Sequence, residues 1–384
     1  MKTIVVVTNI PNPYRVPLFN ELAVQLEKDN LCLHVIFARS TYSRRKFELN
    51  LADCHFQYTI LNSSFIENTN SEKTIFKYSL LHKTLKKLRP ACILVGGFSP
   101  ATMKVWWYSK LNNVPYLIWS GSLLPVGAKD KFHRLLQRKF LVSGATGFVV
   151  YGTASKDYLI QLGAEKENIE IGINTVDTTF FKTETEKCRS HSTSDNKKHL
   201  LYLGYLVPRK NVSRLLEVIN LLAAERSDFV MDIIGDGDDR PSLEKYVEAN
   251  QLQNVVRFHG FKQKEELPAY LAATSIFMFQ TDFDIWGLTL VEAMAAGIPC
   301  ISSINAGANK DLIKEGETGF CANFADSEAV LKLTRELLDN PHKAAQIGKN
   351  AAAFIAERVN LKISAQGFAT AIKKSLTSKT NPQQ

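Results

Sequence analysis

The 384-residue sequence lacks the spacings that announce several common chemistries. No G-x-x-x-x-G-K-[ST] occurs, which argues against a P-loop nucleotidase. The first apolar run is followed by "TNIPNPYR" rather than G-x-G-x-x-G, which argues against a dinucleotide oxidoreductase. The absence of G-x-S-x-G argues against an α/β hydrolase. The 8 histidines are scattered, with no H-x-x-x-H, so a zinc site has little support. The 6 cysteines lie far apart without a C-x-x-C, several of them inside apolar runs. Reduced buried thiols and a cytoplasmic setting are expected. No apolar run approaches the ~18 residues needed to cross a bilayer. The N-terminus enters a strand at Thr3–Thr8 without the basic start and long apolar core of a signal peptide.

With 45% hydrophobic and 22% charged residues, the chain suits a globular protein of two domains. Its charge is unevenly spread. Residues 1–170 hold 22 Lys/Arg and 12 Asp/Glu, a balance of 22 − 12 = +10; the remainder holds 47 − 22 = 25 against 38 − 12 = 26, or −1. A basic half facing a neutral one suggests an anionic partner for the first: nucleic acid, a membrane surface or a phosphorylated substrate. A merely soluble surface is the plainer alternative.

Near-continuous Val/Ile/Leu runs alternate with amphipathic segments: "TIVVVT", "LCLHVIF", "ACILVGG", "PYLIWS" and "ATGFVVYG", then "KHLLYLGYL", "FVMDIIG", "VVRFHG", "SIFMFQ" and "IPCISS". This is the pattern of buried parallel strands in βα units, and it runs twice. The expected fold is α/β, with two doubly wound parallel-sheet domains facing a cleft. Ligands in such sheets sit where strands give way to helices. The polar stretch Thr183–Lys198 shows no periodicity and reads as a flexible loop, with the domain boundary near Asn174–Asp177 and a frayed tail "NPQQ". "GDGDDR" (Gly235–Arg240) looks like a calcium-loop fragment but lacks the distal Glu, and reads better as a strand-to-helix turn. "DFD" (Asp282–Asp284) matches a metal-holding D-x-D by a pattern short enough to recur by chance.

The stretch "FDIWGLTLVEAMAAGIPCI" places Glu292 in an apolar helix that starts near Gly287–Leu288 and is closed by Gly297 and Pro299. The first amides of such a helix are unpaired and carry partial positive charge, a ready phosphate site. Gly287 allows close approach and Thr289 adds a hydroxyl. Glu292 lies one turn deeper and leans back toward the N-terminus, where it can accept bonds from the hydroxyls of a ribose. The competing reading is that Glu292 pairs with a core Lys or caps a neighbouring element. A second loop follows a turn at Gly204 and carries Arg209 and Lys210 ahead of a helix, a pair suited to a diphosphate or simply to solvent. A third places His259, Gly260 and Phe261 after a strand, where a base could stack.

These residues resemble the retaining glycosyltransferases of family 4, which have the GT-B fold. The resemblance runs from "GYLVPRKN" through "VRFHGF" to "DIWGLTLVEAMAAGIPCI" and "GANKDLIKEGETGF", with weaker likeness in "IPNPYRVPLFNEL", "PYLIWSGS" and "NTVDTTFF". The W-G pair followed by E-A-M looks like the branch that builds bacterial surface polysaccharide and lipopolysaccharide. The resemblance implies an acceptor-side domain over 1–173 and a nucleotide-sugar domain over 174–360, with the last helix, about 361–378, packing back on the first. It implies that Glu292 holds the donor ribose and that Asp284 contacts hydroxyls of the transferred sugar. Arg209 and Lys210 would clamp the diphosphate, aided by backbone at Leu288, Thr289 and Leu290. Asp284 stands where the family's E-x7-E motif has Glu, shortening that arm by ~1.5 Å. Arg15, Ser120 and Gly121 fall on the acceptor side, and "IWSGS" holds Trp119, Ser120 and Gly121 where many members carry a His. The nucleotide-sugar is then a co-substrate, and no cofactor or metal is expected.

The implied partners are a nucleotide-sugar donor, a lipid-linked or saccharide acceptor and an anionic membrane surface, with no nucleic acid. In Lys129–Leu141, Phe132, Leu135, Leu136 and Phe140 form a stripe amid Lys129, Lys131, Arg134, Arg138 and Lys139, and "KYSLLHKTLKKLRP" and "KVWWYSKL" are similar. Basic amphipathic helices can lie on anionic lipid, which would place the protein on the inner face of the cytoplasmic membrane. A core-facing helix with a solvated face is the alternative for each. A soluble transferase making a small glycoside, and a catalytically silent sugar-nucleotide binder, remain open as other functions.

Overall fold

The computed structural model describes residues 1–42, 51–67, 74–124, 127, 130–191 and 197–377. The chain divides into two compact units, Met1–Val176 with Leu361–Gln384, and Asp177–Asn360.

The first unit is built on β1 (Lys2–Thr8), β2 (Leu31–Phe37) and β3 (Gln57–Ile60), a hairpin of β4 (Phe65–Glu67) and β5 (Thr74–Phe76), and then β6 (Cys92–Gly96), β7 (Tyr116–Ser120), β8 (Gly147–Val150) and β9 (Ile169–Ile171). Seven of these strands form one parallel sheet in the order β3-β2-β1-β6-β7-β8-β9. Ile4–Val7 are fully buried, as a strand covered on both faces requires. The connecting helices are α1 (Val16–Glu27), α2 (Leu81–Leu88), α3 (Pro100–Asn112), α4 (Phe132–Gly144) and α5 (Thr153–Gln161). α3 starts at a capping box in which Ser99 and Thr102 satisfy each other's amides.

The second unit opens with α6 (Thr178–His191) and continues through β10 (Lys198–Leu203), α7 (Val212–Glu225), β11 (Phe229–Ile234), α8 (Arg240–Ala249), β12 (Val256–Gly260), α9 (Leu267–Ala273), β13 (Thr274–Phe279), α10 (Leu288–Ala295), β14 (Cys300–Ser303), α11 (Asn309–Leu312), β15 (Phe320–Ala322), α12 (Ser327–Asp339) and α13 (Pro341–Arg358). Its parallel sheet has the order β12-β11-β10-β13-β14-β15, which reverses direction between β10 and β13. Both sheets are of the Rossmann type. The last helix, α14 (Leu361–Thr377), lies against α1 and the first unit's sheet, with Phe368 and Ile372 buried there.

One expectation is overturned. Most of Thr183–Lys198 is not a loop: α6 runs to His191, and β10 begins at Lys198. The Asp177 carboxylate accepts from the Phe180 amide at 3.1 Å and caps the helix start. Its inner stripe is Thr178, Phe181, Thr185 and Cys188, helical in spacing but mostly polar in residue type, which hides the periodicity. Residues 192–196 and the tail "NPQQ" lie outside the described residues. "GDGDDR" is a strand-to-helix turn between β11 and α8. No helix among the described residues is long and apolar enough to cross a membrane.

Candidate functional site

The loops leaving β10 and β13 meet at the point where the second sheet reverses. The Arg209 carbonyl accepts from the amides of Asp282 (3.0 Å) and Phe283 (3.3 Å). Arg209 and Lys210 occupy one 3-10 turn, Pro208–Lys210, and both turn toward Asp284. Lys210 Nζ lies 2.5 Å from Asp284 Oδ2, and Arg209 Nη1 lies 3.8 Å from the same oxygen. Lys210 is buried, with its ammonium 4.7 Å from the centre of the Phe279 ring, whereas the Arg209 side chain is 37% exposed. Arg209 is therefore the cation of this pair that a ligand can reach.

Asp284 Oδ1 accepts from the Trp286 amide at 3.0 Å. Burial works against its charge, but Lys210, the Trp286 N–H and Arg209 outweigh that cost and hold the carboxyl below its ordinary value. Its backbone pairs with the loop after β14: the Gly307 amide donates to the Asp284 carbonyl at 2.9 Å. Asp282 is engaged separately, by Asn211 at 2.7 Å and Arg214 at 3.1 Å. The "DFD" carboxylates thus face different cations.

α10 begins after Gly287, whose φ of +110° and whose clearance from the Phe279 ring (a Cβ would come within 2.6 Å) both demand glycine. No side chain caps this helix and its first turn holds no acid. Among the described residues, the amides of Leu288 and Thr289 have no acceptor, while those of Leu290 and Val291 bond back to the Gly287 carbonyl. Glu292 follows one turn later. It is half-buried, and its carboxylate makes no hydrogen bond within the described residues. Burial pushes its carboxyl up to about 8, with Lys264 pulling the other way. Among the described residues no core Lys pairs with this carboxylate and it caps no helix, so it remains available to a ligand.

His259 is held differently from a free base-contacting group. Its Nε2 lies 2.6 Å from Asp232 Oδ1, and His199 Nδ1 lies 2.6 Å from Asp232 Oδ2. Asp232 is 6% exposed, so both of its oxygens are spent on histidines from the neighbouring strands. Burial acts to raise its pKa and the two histidine bonds act to lower it; the bonds prevail. His259 also packs edge-on against Tyr270, with ring centres 4.9 Å apart. The Gly260 carbonyl accepts from the Gly235 amide at 2.9 Å, and the Gly204 amide donates to the Ile234 carbonyl at 3.0 Å, so the turns after β10, β11 and β12 are laced together. Tyr205, Phe261 and Ile285 protrude from this end of the sheet. Asp232, His199 and Lys264 escaped the sequence reading, although an acid inside "FVMDII" is the same anomaly that marks Glu292.

In the first unit, Arg15, Ser120 and Gly121 come together at the C-terminal ends of the strands. Arg15 Nη2 donates to the Tyr151 hydroxyl at 2.9 Å, Gly121 packs against the Tyr151 ring, and Ser120 Oγ accepts from the Ser122 amide at 3.0 Å. The amphipathic stripe of α4 needs correction. Phe132, Leu136 and Phe140 are exposed, but Leu135 packs into the core. Arg138 also turns inward, to Asp130 at 2.8 Å and to the Tyr158 hydroxyl. α3 adds exposed Trp107 and Leu111, and Trp106 bridges the helices, 4.8 Å from Phe140 and 4.9 Å from Trp107 between ring centres. Lys129 lies outside the described residues. α2 buries Leu81 and Leu85 and turns its lysines to solvent. A cavity of about 680 Å³ in the second unit opens at the opposite end of the strands, near Lys198, Thr274 and Gly297, and none of the site residues lines it.

Residues 183–354 match the sequence model of the family described as "Glycosyl transferases group 1". The chain is 31% identical over 144 residues to the 2-deoxystreptamine N-acetyl-D-glucosaminyltransferase of Niallia circulans, a match covering 38% of this chain and 37% of that protein. It is 30% identical over 144 residues to the amylovoran biosynthesis glycosyltransferase AmsK of Erwinia amylovora, covering 36% and 35%. These matches span less than half the length of the curated relatives. The crystal structure of Anabaena HepE in complex with UDP superposes with a TM-score of 0.77 at 18% identity, covering 97% of this chain and all of the other. Residues 183–354 thus carry the sequence pattern of the group 1 glycosyl transferases, on a chain of two Rossmann-like units with the GT-B fold.

Proposed function

We propose that the protein is a retaining, family 4-type glycosyltransferase that moves a hexosyl group from a nucleotide-sugar to a lipid-linked or saccharide acceptor in cell-surface polysaccharide or lipopolysaccharide synthesis. The observation that carries this reading is the conjunction at the switch point: Arg209 exposed, α10 uncapped and free of acid in its first turn, and the Glu292 carboxylate, one turn inside it, without a hydrogen bond among the described residues. The diphosphate lies between Arg209 and the amides of Leu288 and Thr289. Glu292 accepts from the ribose hydroxyls, and Phe261 stands by for the base. The HepE complex supports a uridine nucleotide as the first donor to try.

Departure of the nucleoside diphosphate develops negative charge on its β-phosphate. Arg209, backed by Lys210, and the dipole of α10 stabilise that charge as it forms, which removes the need for a divalent ion. The anomeric carbon becomes oxocarbenium-like, and the acceptor hydroxyl attacks from the face the phosphate leaves, passing its proton to that phosphate. Asp284 holds Lys210 and the Trp286 amide, and presents its remaining lone pairs to the sugar.

The protein works in the cytoplasm, attached to the inner face of the membrane through α3 and α4. Trp107, Leu111, Phe132, Leu136 and Phe140 supply an apolar surface, and the sequence from Lys73 to Lys129 contains no Asp or Glu. Calorimetric titration with UDP-, GDP-, ADP- and dTDP-sugars, followed by assay of nucleoside diphosphate release with acceptor, tests the reading. Tight donor binding without release or transfer makes the protein a silent binder, and full activity on small soluble acceptors alone makes it a soluble glycoside-forming enzyme.

A further inference from the structure

We infer that Arg15 anchors an oxyanion site on the first unit, which takes a phosphoryl or carboxylate group of the acceptor; the assignment to the acceptor rests on the transferase reading above. Arg15 is 7% exposed, yet it forms no ion pair among the described residues. A buried charge without a counter-ion is unfavourable. Aromatic rings offset part of that cost: the guanidinium carbon lies 4.4 Å from the centre of the Trp119 ring and 5.1 Å from those of Tyr14 and Tyr151. Rings leave the N–H groups unsatisfied, however. A guanidinium has five donors in a planar fork, and among the described residues this one donates to the Tyr151 hydroxyl alone, at 2.9 Å. The rest of the fork is held rigidly and left for a ligand.

Its position points the same way. Arg15 follows β1, Trp119 sits near the end of β7 and Tyr151 follows β8, all at the C-terminal ends of parallel strands, where doubly wound sheets bind their ligands. Arg15 immediately precedes α1, whose N-terminus has no side-chain cap and no acid in its first turn. Helix dipole and guanidinium therefore favour the same kind of ligand. In the same loop, Asn12 Oδ1 is buried without a hydrogen-bond partner and can accept from a hydroxyl beside the anion.

The test uses the full chain with its donor site saturated by UDP. Inorganic pyrophosphate and D-glucuronate are titrated separately by calorimetry, which separates a phosphoryl from a carboxylate ligand. At least one is expected to bind. Arg15→Met should weaken that binding by at least roughly tenfold, and Arg15→Lys, which keeps the charge but loses the fork, by several-fold, with UDP affinity unchanged in both. The assignment is overturned if neither anion binds the wild-type protein, or if either folded variant keeps wild-type anion affinity. Failure of UDP itself to bind would instead remove the nucleotide-sugar reading, and the anion titration would still decide the fate of Arg15.

Discussion

Lys210 and Asp284, 74 residues apart in the sequence, are joined by a 2.5 Å salt bridge that leaves the lysine 5% exposed. One acid thereby fixes the turn after β10 to the loop after β13. Removing it strands a buried ammonium, which typically costs about 3–5 kcal/mol. Asp284→Asn should be destabilised on that scale, and the Lys210→Met/Asp284→Asn double variant by less than the sum of its parts, as measured by denaturant unfolding. The folded-state pKa of Asp284 lies below its ordinary 3.8, so its contribution is complete above that pH and is lost only as pH falls through the lower folded value. The difference between wild type and Asp284→Asn should accordingly be the same at neutral and mildly acidic pH. Strict additivity in the double variant would mean the two groups are not coupled.

Glu292 gives the opposite sign. Its folded pKa is raised from 4.5 to about 8, so its ionised form is disfavoured in the fold, and it lowers stability increasingly between those two values. Glu292→Gln should match wild type in melting temperature near the acid end of this window and exceed it above about 8. Donor binding should run the other way. A carboxylate accepts the ribose hydroxyls better than the neutral acid, so wild-type affinity for the nucleotide-sugar should rise with pH through this window. In Glu292→Gln it should be weak and flat. A variant that binds donor like wild type across the range would return Glu292 to a purely architectural role.

Transfer should survive an excess of chelator. Asp282 is taken by Asn211 and Arg214, and Asp284 by Lys210, so neither carboxylate of "DFD" needs a divalent ion for charge balance. Arg209→Ala should lower kcat/KM by two to three orders of magnitude, roughly the loss seen when one stabiliser of developing charge is removed, and added Mg²⁺ or Mn²⁺ should not restore it. Activity abolished by chelator and regained on adding the ion back would falsify this mechanism.

Membrane attachment should depend on the rim residues of α3 and α4. The double variant Phe132→Ser, Leu136→Ser should lose co-sedimentation with phosphatidylglycerol vesicles while keeping its melting temperature, because these side chains are exposed. Arg138→Ser should do the reverse. Its guanidinium is spent on Asp130 and Tyr158, so its loss should weaken the fold before it weakens binding. Wild-type binding should fall with salt, since exposed charges are screened over about 8 Å at physiological ionic strength. Equal sedimentation with neutral vesicles would reject the anionic-surface reading.

The repeated apolar runs made both sheets legible in the sequence, because strands buried on two faces leave little room for polar residues. Two of the candidate segments were legible from position: Arg209 and Lys210 stand between a strand and a helix, and Glu292 is a charge inside an otherwise apolar helix. α6 was not legible, since its inner stripe uses Thr185 and Cys188 where Leu would have announced it. Nor was the distribution of contacts within the site. His259 looked free to meet a base and is tied to Asp232, and Lys210 looked like the twin of Arg209 and is buried beneath it. Pairings across 27 or 74 residues depend on the strand order, which periodicity does not reveal.

The crossing of the first two turns in the second unit limits how this protein could be retuned. A Cβ on Gly235 would fall 1.8 Å from the Gly204 carbonyl oxygen, so even one methyl group there forces the loops after β10 and β11 apart. Through the Gly235–Gly260 bond the displacement reaches the third loop as well. The anion-facing framework therefore varies as a unit or not at all. A change of donor preference, whether selected in nature or engineered, has its room at the protruding tips, Tyr205, Phe261 and Ile285, where a side chain can be exchanged without moving any backbone beneath it.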